Sequence, residues 1–269
     1  CNDMIAVKAR RLMLMDLVVD IGNTDTKFGV FCDDVLASRW VVHSDVNRDT
    51  NEHTTLLKAM LSHIGATEVD SAIVGSVVPE LTERMADAVA TAIGRRPRIA
   101  RSQDVQAIDL DVDVPSQVGI DRVANALAAR EVYTVPAIVA DLGSVTTFDI
   151  VNDVGNLAGV VIALGMQNSA RALTAAGAQL PSITLAKPAR LIGTNTEASM
   201  HAGIYWGYVH MVRGLITHLR SELGTDYQIV ATGGYAHVVA NDVALFDVVD
   251  SELTLRGLLL IGKDYEAAK

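Results

Sequence analysis

Two short segments carry residue types that suit phosphate binding, one in each half of the chain. The first reads Asp-Ile-Gly-Asn-Thr over residues 20–24, and the second reads Asp-Leu-Gly-Ser over residues 141–144. In each segment an apolar run ends in Asp-x-Gly and an alternating run follows, which predicts a β-hairpin. Glycine lets a phosphate approach the backbone, and successive N–H groups and hydroxyls can form an anion nest. The Asp can hold Mg²⁺ through water or orient a transferring group.

The repetition of this pattern separates it from an ordinary tight turn, which uses Asp and Gly just as often. Asp20, Gly22 and Thr26 recur as Asp, Gly and Thr 121 residues later. A third predicted strand follows each hairpin, over residues 35–42 and 155–163. Two copies, one in each half, favour a duplicated phosphate-binding fold.

A third segment, Gly-Ile-Asp-Arg over residues 119–122, lies within a predicted helix that covers residues 115–130. Asp121 can accept a hydroxyl proton, and Arg122 can bind a carboxylate through two parallel hydrogen bonds. The alternative is that Asp121 only favours the helix dipole and Arg122 is solvated.

Two more segments suit ligand binding, although each has a simpler explanation. Thr-Gly-Gly over residues 232–234 offers bare backbone to a flat base, or forms a plain strand-to-helix turn.

A long helix is predicted over residues 197–223. Either Asn195 or Thr196 can be its N-cap, and Thr196 can also face a cleft. That helix has three histidines without a metal-binding spacing, so we expect no metal site there. They are His201, His210 and His218.

Strands and helices alternate along the chain, which predicts an α/β protein. Apolar residues recur at helical spacing over residues 52–64 and 80–93, and buried-strand runs cover residues 71–78 and 228–231. No low-complexity linker separates the halves, so we expect them to share a tight interface.

The composition limits the classes of protein that fit. The 269 residues are half hydrophobic and suit one large domain or two modest ones, and the net charge of −10 argues against general nucleic-acid or anionic-membrane binding. A small anionic substrate held by backbone groups remains compatible with that charge. Two cysteines exclude a disulfide framework and favour a reducing, cytoplasmic setting. No apolar run reaches the roughly 20 residues of a membrane-spanning helix. We interpret residues 1–14 as an appendage and Met15 as the natural start.

These motifs resemble those of type III pantothenate kinases, members of the actin-like ATPase and sugar-kinase superfamily. The resemblance extends over about residues 15–262. Residues 20–24 and 141–147 are similar to the two phosphate motifs of the family, and residues 119–122 to its Gly-Ala-Asp-Arg segment. Residues 232–234 are similar to its adenosine motif. Two further family signatures are Ser-Val-Val-Pro over residues 76–79 and Leu-Thr-Leu-Arg-Gly-Leu over residues 253–258.

The resemblance implies two duplicated ribonuclease H-like (actin-like ATPase) domains, each with a mixed sheet that begins with a phosphate hairpin and is flanked by helices. We expect these domains over residues 15–118 and 119–269. It also implies ATP-dependent phosphorylation of pantothenate to 4'-phosphopantothenate, the first step of coenzyme A biosynthesis. Its cofactors are ATP, Mg²⁺ and a monovalent cation, K⁺ or NH₄⁺. The family's acceptor site lies at a homodimer interface, so a cytoplasmic homodimer is expected.

Residue roles follow from the same resemblance. Asp121 is the expected catalytic base, Asp141 the expected ligand of the monovalent cation, and Asp20 holds Mg²⁺ through water. The expected substrate-binding residues are Gly119, Ile120, Asp121, Arg122 and Thr196. The expected ATP-binding residues are Asp20, Gly22, Asn23, Thr24, Thr26, Lys27, Ser144, Thr146 and Gly233.

The sequence also departs from the family pattern. Residues 159–165 read Gly-Val-Val-Ile-Ala-Leu-Gly where the family has Gly-Gly-x-Ile-x-Pro-Gly, and the Val160 side chain is expected to narrow a cleft. Ser144 stands for a Thr but keeps the hydroxyl, His201-Ala202 replaces Gln-Ser, and Val112 replaces an aromatic residue. The alternatives are a non-catalytic transcription-accessory protein on the same fold and a kinase for another hydroxy acid. The intact base and phosphate-motif aspartates favour an active pantothenate kinase.

Overall fold

The computed structural model describes residues 14–66, 68–177, 180–181, 183–224 and 226–267. The expected appendage therefore lies outside the described residues, except for Leu14. The described residues divide into two compact units, one within residues 1–105 and 258–269 and the other within residues 106–257.

The first unit contains a five-stranded mixed sheet in the order β3-β2-β1-β4-β5. β1–β2–β3 form an antiparallel meander, and β4 and β5 continue the sheet parallel to β1. Helices α1 and α2 pack on the sheet around a core of apolar side chains from both layers. The elements are β1 (Met15–Ile21), β2 (Asp25–Cys32), β3 (Val35–His43), α1 (Thr50–His63), β4 (Ser71–Ser76), α2 (Pro79–Ile93) and β5 (Arg98–Ala100).

Local sequence explains where these helices begin and end. α1 begins two residues before the predicted helix because Asp49 and Glu52 form a reciprocal capping box. α2 has Pro79 in its first turn and ends at Gly94, whose φ of +73° few other residues adopt at low cost.

The second unit contains a five-stranded sheet in the order β10-β9-β6-β7-β8. One face of this sheet packs on α4, α5 and α6 around a second apolar core. The elements are α3 (Ile120–Val132), β6 (Ala137–Leu142), β7 (Val145–Val151), β8 (Leu157–Leu164), α4 (Met166–Ala176), α5 (Thr196–Leu223), β9 (Gln228–Thr232), α6 (Ala236–Val243) and β10 (Val248–Val249). A last helix, α7 (Leu253–Ala267), begins in this unit, and its residues from Leu258 onward belong to the first.

The two sheets have the same topology. Each has an antiparallel three-strand meander whose first strand pairs in parallel with a strand from later in the chain. The prediction of two duplicated ribonuclease H-like (actin-like ATPase) domains is therefore confirmed. The third strands, predicted at 35–42 and 155–163, are β3 and β8.

Two details differ from the sequence-based expectations. The predicted helix over 115–130 is a 3₁₀ turn at Pro115–Gln117 followed by α3, because Val118 and Gly119 adopt extended backbone. The observed units also divide between residues 105 and 106, whereas we expected a boundary between 118 and 119. The backbone N–H of Asp111 donates to the carbonyl of Leu157 in β8 (2.9 Å), which ties the preceding segment to the second unit. Within the described residues, no helix combines the length and apolar character that crossing a bilayer requires.

Candidate active site

The first hairpin, β1–β2, places Asp20 directly opposite Lys27. The Lys27 Nζ lies 3.2 Å from Asp20 Oδ2, and the Asp20 side chain is only 9% exposed. This nearly buried carboxylate therefore carries a compensating cation on the neighbouring strand.

Ser44 supports the turn of the first hairpin, a role that sequence reasoning did not assign. Its Oγ donates to the carbonyl of Gly22 (2.7 Å) and lies 2.9 Å from the Thr26 Oγ1, while its N–H donates to the carbonyl of Thr24 (2.8 Å). Thr26 is buried. The exposed Asn23 and the half-buried Gly22 and Thr24 remain placed to present backbone and polar side chains to a ligand.

The second hairpin, β6–β7, places Asp141 opposite Thr147. Its turn has two residues, 143 and 144, whereas the turn of the first hairpin has three, 22 to 24. The structural equivalent of Lys27 is therefore Thr147, and the equivalent of Thr26 is Thr146. The offset of 121 residues holds for the Asp and Gly but becomes 120 after the turn.

The polar residues in the second turn and at the start of β7 have different partners. The Ser144 carbonyl accepts a hydrogen bond from the Asn168 side chain (2.8 Å). Thr146 is fully buried, and its Oγ1 lies 2.6 Å from the hydroxyl of Tyr208 on α5. Because side chains alternate along a strand, Thr146 faces that core while Thr147 lies on the same side as Asp141. Thr146 would therefore reach a nucleotide only through its backbone.

Helix α3 carries the Gly-Ile-Asp-Arg segment in its first turn, with Gly119 as N-cap. The Asp121 Oδ1 accepts a hydrogen bond from the Arg122 backbone N–H (2.9 Å), which fixes the carboxylate at the helix start. Both side chains are half-buried. The Arg122 Nε is buried and has no hydrogen-bond partner among the described residues, so Arg122 is not fully solvated at the helix start.

Near Asp121 lies a polar cluster formed by the buried Asn125 and Asp149 and the half-buried Asp141. The Asn125 side-chain amide donates to Asp141 Oδ2 (3.3 Å). Asp149, on β7, is fully buried, and the Asn125 side chain is the neutral hydrogen-bonding group near its carboxylate. Burial, and then the nearby charges of Asp121 and Asp141, hold the pKa of Asp149 well above its usual range against the opposing effects of Arg122 and Asn125.

The Thr-Gly-Gly segment after β9 packs against the second hairpin. Gly233 has a φ of +90°, and a Cβ there would lie 2.5 Å from Asp141 Oδ1 and 2.6 Å from the backbone of Leu142. The N–H of Tyr235 donates to the Leu142 carbonyl (3.0 Å). Only glycine fits this approach, so this strand-to-helix turn places bare backbone beside Asp141.

The remaining predicted residues lie on neighbouring elements of the second unit. Asn195, not Thr196, is the N-cap of α5, since its side chain accepts from the N–H of Ala198 (2.8 Å). Thr196 is exposed in the first helical turn. Val160 pairs with Asp149 across β7–β8, and the alternate residue Ile162 on the same face is 57% exposed. The departure from the family pattern thus adds an apolar side chain beside Asp149.

Cation binding would rely on single carboxylates. Among the described residues, no three His, Cys, Asp or Glu side chains lie close enough together to hold a metal ion. Mg²⁺ in phosphoryl-transfer sites is commonly held by one or two carboxylates together with substrate phosphates. Asp20 and Asp141, each at the end of the first strand of its hairpin, fit that chemistry.

Several known proteins share sequence with most of this chain. Residues 16–218 match the family model described as type III pantothenate kinase. The type III pantothenate kinase of Dehalococcoides mccartyi strain BAV1 is 38% identical over 247 residues, which cover 91% of this chain and 94% of that protein. The Halalkalibacterium halodurans type III pantothenate kinase is 36% identical, with 93% and 99% covered.

A solved structure from Campylobacter jejuni, described as a Baf family transcriptional activator, has a TM-score of 0.56 at 19% identity and covers 93% of this chain and 99% of that one. At this identity the likeness shows the fold alone, so it does not favour the transcription-accessory alternative. The match to the family model and the identity over nine-tenths of the length decide the family. The chain belongs to the type III pantothenate kinases.

Proposed function

We propose that the protein transfers the γ-phosphoryl group of ATP to pantothenate, forming 4'-phosphopantothenate and ADP at the first step of coenzyme A biosynthesis. The observation that carries this proposal is Asp121, held at the N-terminus of α3 in a family-matching segment beside the buried Arg122 Nε. A carboxylate of this kind can act as a general base once a hydroxyl lies within hydrogen-bond reach.

Asp121 takes the proton of the pantothenate hydroxyl while that oxygen bonds to the γ-phosphorus. The bond between the γ-phosphorus and the bridging oxygen breaks, and its electron pair leaves with ADP. Arg122 binds the acceptor, together with backbone groups of Gly119 and Ile120 and the exposed Thr196 hydroxyl. Phosphoryl transfer depends mainly on positioning and charge stabilisation, so one base and well-placed donors suffice.

ATP is assigned to both phosphate motifs and to the Thr-Gly-Gly segment. Mg²⁺, when bound, neutralises charge on the phosphate oxygens. Asp20 would hold Mg²⁺ through water, and Asp141 would hold K⁺ or NH₄⁺. The residues assigned to the nucleotide are Asp20, Gly22, Asn23, Thr24, Thr26, Lys27, Ser144, Thr146 (through its backbone) and Gly233.

A cytoplasmic homodimer is part of the proposal. The exposed face of α5 carries small residues at heptad spacing, and a Cβ at Gly203, Gly207 or Gly214 would meet no heavy atom within 4 Å. Such a face allows two helices to approach closely. Light scattering at assay concentrations tests this, and a monomer would count against it. The free Cys32 thiol suits a reducing compartment.

The decisive experiment measures ADP release by the purified protein with ATP, Mg²⁺ and KCl, with and without pantothenate. Pantothenate-dependent release is expected, and its absence in both KCl and NH₄Cl would overturn the proposal. The Asp121→Asn variant should fold but lose most of the rate. A panel of other hydroxy acids tests whether pantothenate is the preferred acceptor.

A further inference from the structure

The first turns of α7 make a buried contact that no proposed role yet uses. Thr254 is 3% exposed and Asn125 is fully buried. The Thr254 hydroxyl donates to the Asn125 Oδ1 (2.8 Å), and the Asn125 Nδ2 donates to Asp141 Oδ2 (3.3 Å). One hydroxyl, one amide and one carboxylate thus form a chain from the C-terminal signature to the second phosphate hairpin.

The chemistry of these groups fixes the direction of the chain. An ionised carboxylate can only accept, so the NH₂ of the amide faces Asp141 and its oxygen faces Thr254. Without the Thr254 hydroxyl, the buried Asn125 Oδ1 would lose its donor, which lowers the stability of the folded protein. The side-chain amide of Asn125 could then rotate away from Asp141.

The packing of α7 keeps Thr254 in register with α3. A Cβ at Gly257 would lie 1.9 Å from the Ala124 carbonyl oxygen, so the two helices meet backbone to backbone. At the far end of α3, the Tyr133 hydroxyl donates to Asp250 Oδ2 (2.9 Å), just before α7 begins. Both ends of the helix that carries Asp121 are therefore tied to the start of α7.

Asn125, at the centre of this chain of hydrogen bonds, is a neutral residue next to several carboxylates. Asp121 and Asp141 lie near Asp149, and the Asn125 amide lies beside both Asp141 and Asp149. An amide donates to Asp141 without adding charge of its own, so it orients the carboxylate and leaves the charge of Asp141 unchanged.

We propose that Asn125, held by Thr254, is a positioning residue that orients the Asp141 carboxylate for its monovalent cation and for the nucleotide beside it. This rests on the proposed role of Asp141. It gives the Leu-Thr-Leu-Arg-Gly signature a purpose: Thr254 supplies the donor, and Gly257 allows the close approach that brings it to Asn125.

The test compares Thr254→Val, which keeps the shape but removes the hydroxyl, with Thr254→Ser, which keeps the hydroxyl. Calorimetry measures ADP binding with Mg²⁺ over a series of KCl concentrations. The Val variant should need about tenfold more KCl for half-maximal binding, as is typical when a partner of a metal ligand is lost. The Ser variant should stay within about twofold of the wild-type protein. Where the Val variant folds poorly, Thr254→Ala removes the same hydroxyl with a smaller side chain.

If Thr254 only stabilised the fold, its hydroxyl would not affect the KCl dependence of ADP binding. The proposal would be overturned if the wild-type, Val and Ser proteins showed equal KCl dependence, or if the Val and Ser variants needed the same increase in KCl. The KM for pantothenate should not change. The readout is binding, so it is separate from the proposed reaction. Normal ADP binding without pantothenate-dependent ADP release would refute the kinase function and still test the positioning by Thr254.

Discussion

The two phosphate hairpins share one topology but treat their aspartates differently. In the first unit Asp20 lies opposite Lys27, which forms an ion pair with it at 3.2 Å. In the second unit Asp141 lies opposite Thr147, and its carboxylate accepts from the neutral Asn125 amide. A lysine and a threonine thus occupy equivalent positions.

We infer that the two aspartates have different roles in the proposed reaction. Lys27 cancels the charge of Asp20 within the protein, so that carboxylate can orient waters around Mg²⁺ at little net charge. Asn125 is neutral, so it can orient Asp141 without adding a positive charge, which is compatible with the proposed cation role of Asp141. The two sheets thus share a strand order but differ in the residue opposite each aspartate.

The largest expected effect is on cation dependence. Asp141→Asn should lower kcat/KM for ATP by about 100-fold and remove the response to KCl, because the carboxylate that binds the cation is gone. Asp20→Asn should impair the reaction but keep a KCl response. Steady-state kinetics across a KCl series measures both, and an identical loss of response in the two variants would break the distinction between the hairpins.

The next effect concerns stability. Lys27→Met should lower the free energy of unfolding by about 3 kcal/mol, because a nearly buried Asp20 carboxylate loses its ion-pair partner. Urea denaturation measures the change, with the exposed Lys58→Met as control. If both variants lose the same small amount of unfolding free energy, Lys27 does not stabilise the Asp20 carboxylate as we expect.

A pH-dependent effect is expected for Asp149. Its folded-state pKa is raised, so the folded protein holds this proton at pH values where the unfolded chain has released it. That stabilising contribution is complete below the unfolded pKa and is lost as pH rises towards the folded one. Relative to Asp149→Asn, the wild-type protein should therefore lose up to about 1.4 kcal/mol per pH unit above about pH 4.

Urea denaturation between pH 5 and 8 checks this prediction, with the exposed Asp113→Asn as control. Wild-type and Asp149→Asn stability curves that run parallel over this range would contradict it.

The smallest expected effect is the loss of one side-chain hydroxyl beside each hairpin turn. Tyr208→Phe removes the hydroxyl next to Thr146, and Ser44→Ala removes the hydrogen bonds to the first turn. Each should cost about 1 kcal/mol of stability, since a typical buried hydrogen bond contributes that much. Thermal unfolding measures both variants. A loss confined to Ser44→Ala would mean that the second turn does not depend on α5.

Much of the fold followed from local sequence patterns. The Asp-x-Gly runs with alternating strands predicted both hairpins, and their repetition predicted the duplicated sheets. Exact element boundaries were less accessible: the segment before α3 has helix-compatible residues, yet extended backbone at Val118 and Gly119 interrupts it. The cluster around Asn125 was missed, because a single amide within an apolar helix gives no signal until its neighbours are known.

The sequence by itself determined the two Asp-x-Gly hairpins, the place of Asp121 and Arg122 at the start of a helix and the α/β class, because these depend on residues close together along the chain. Tertiary structure alone decided which residue faces each aspartate. One fewer residue in the second turn shifts the pairing, so Thr147 rather than Thr146 stands where Lys27 stands in the first copy. It also decided that Thr254 reaches Asn125 across 129 residues, a contact set by how closely two helices pack.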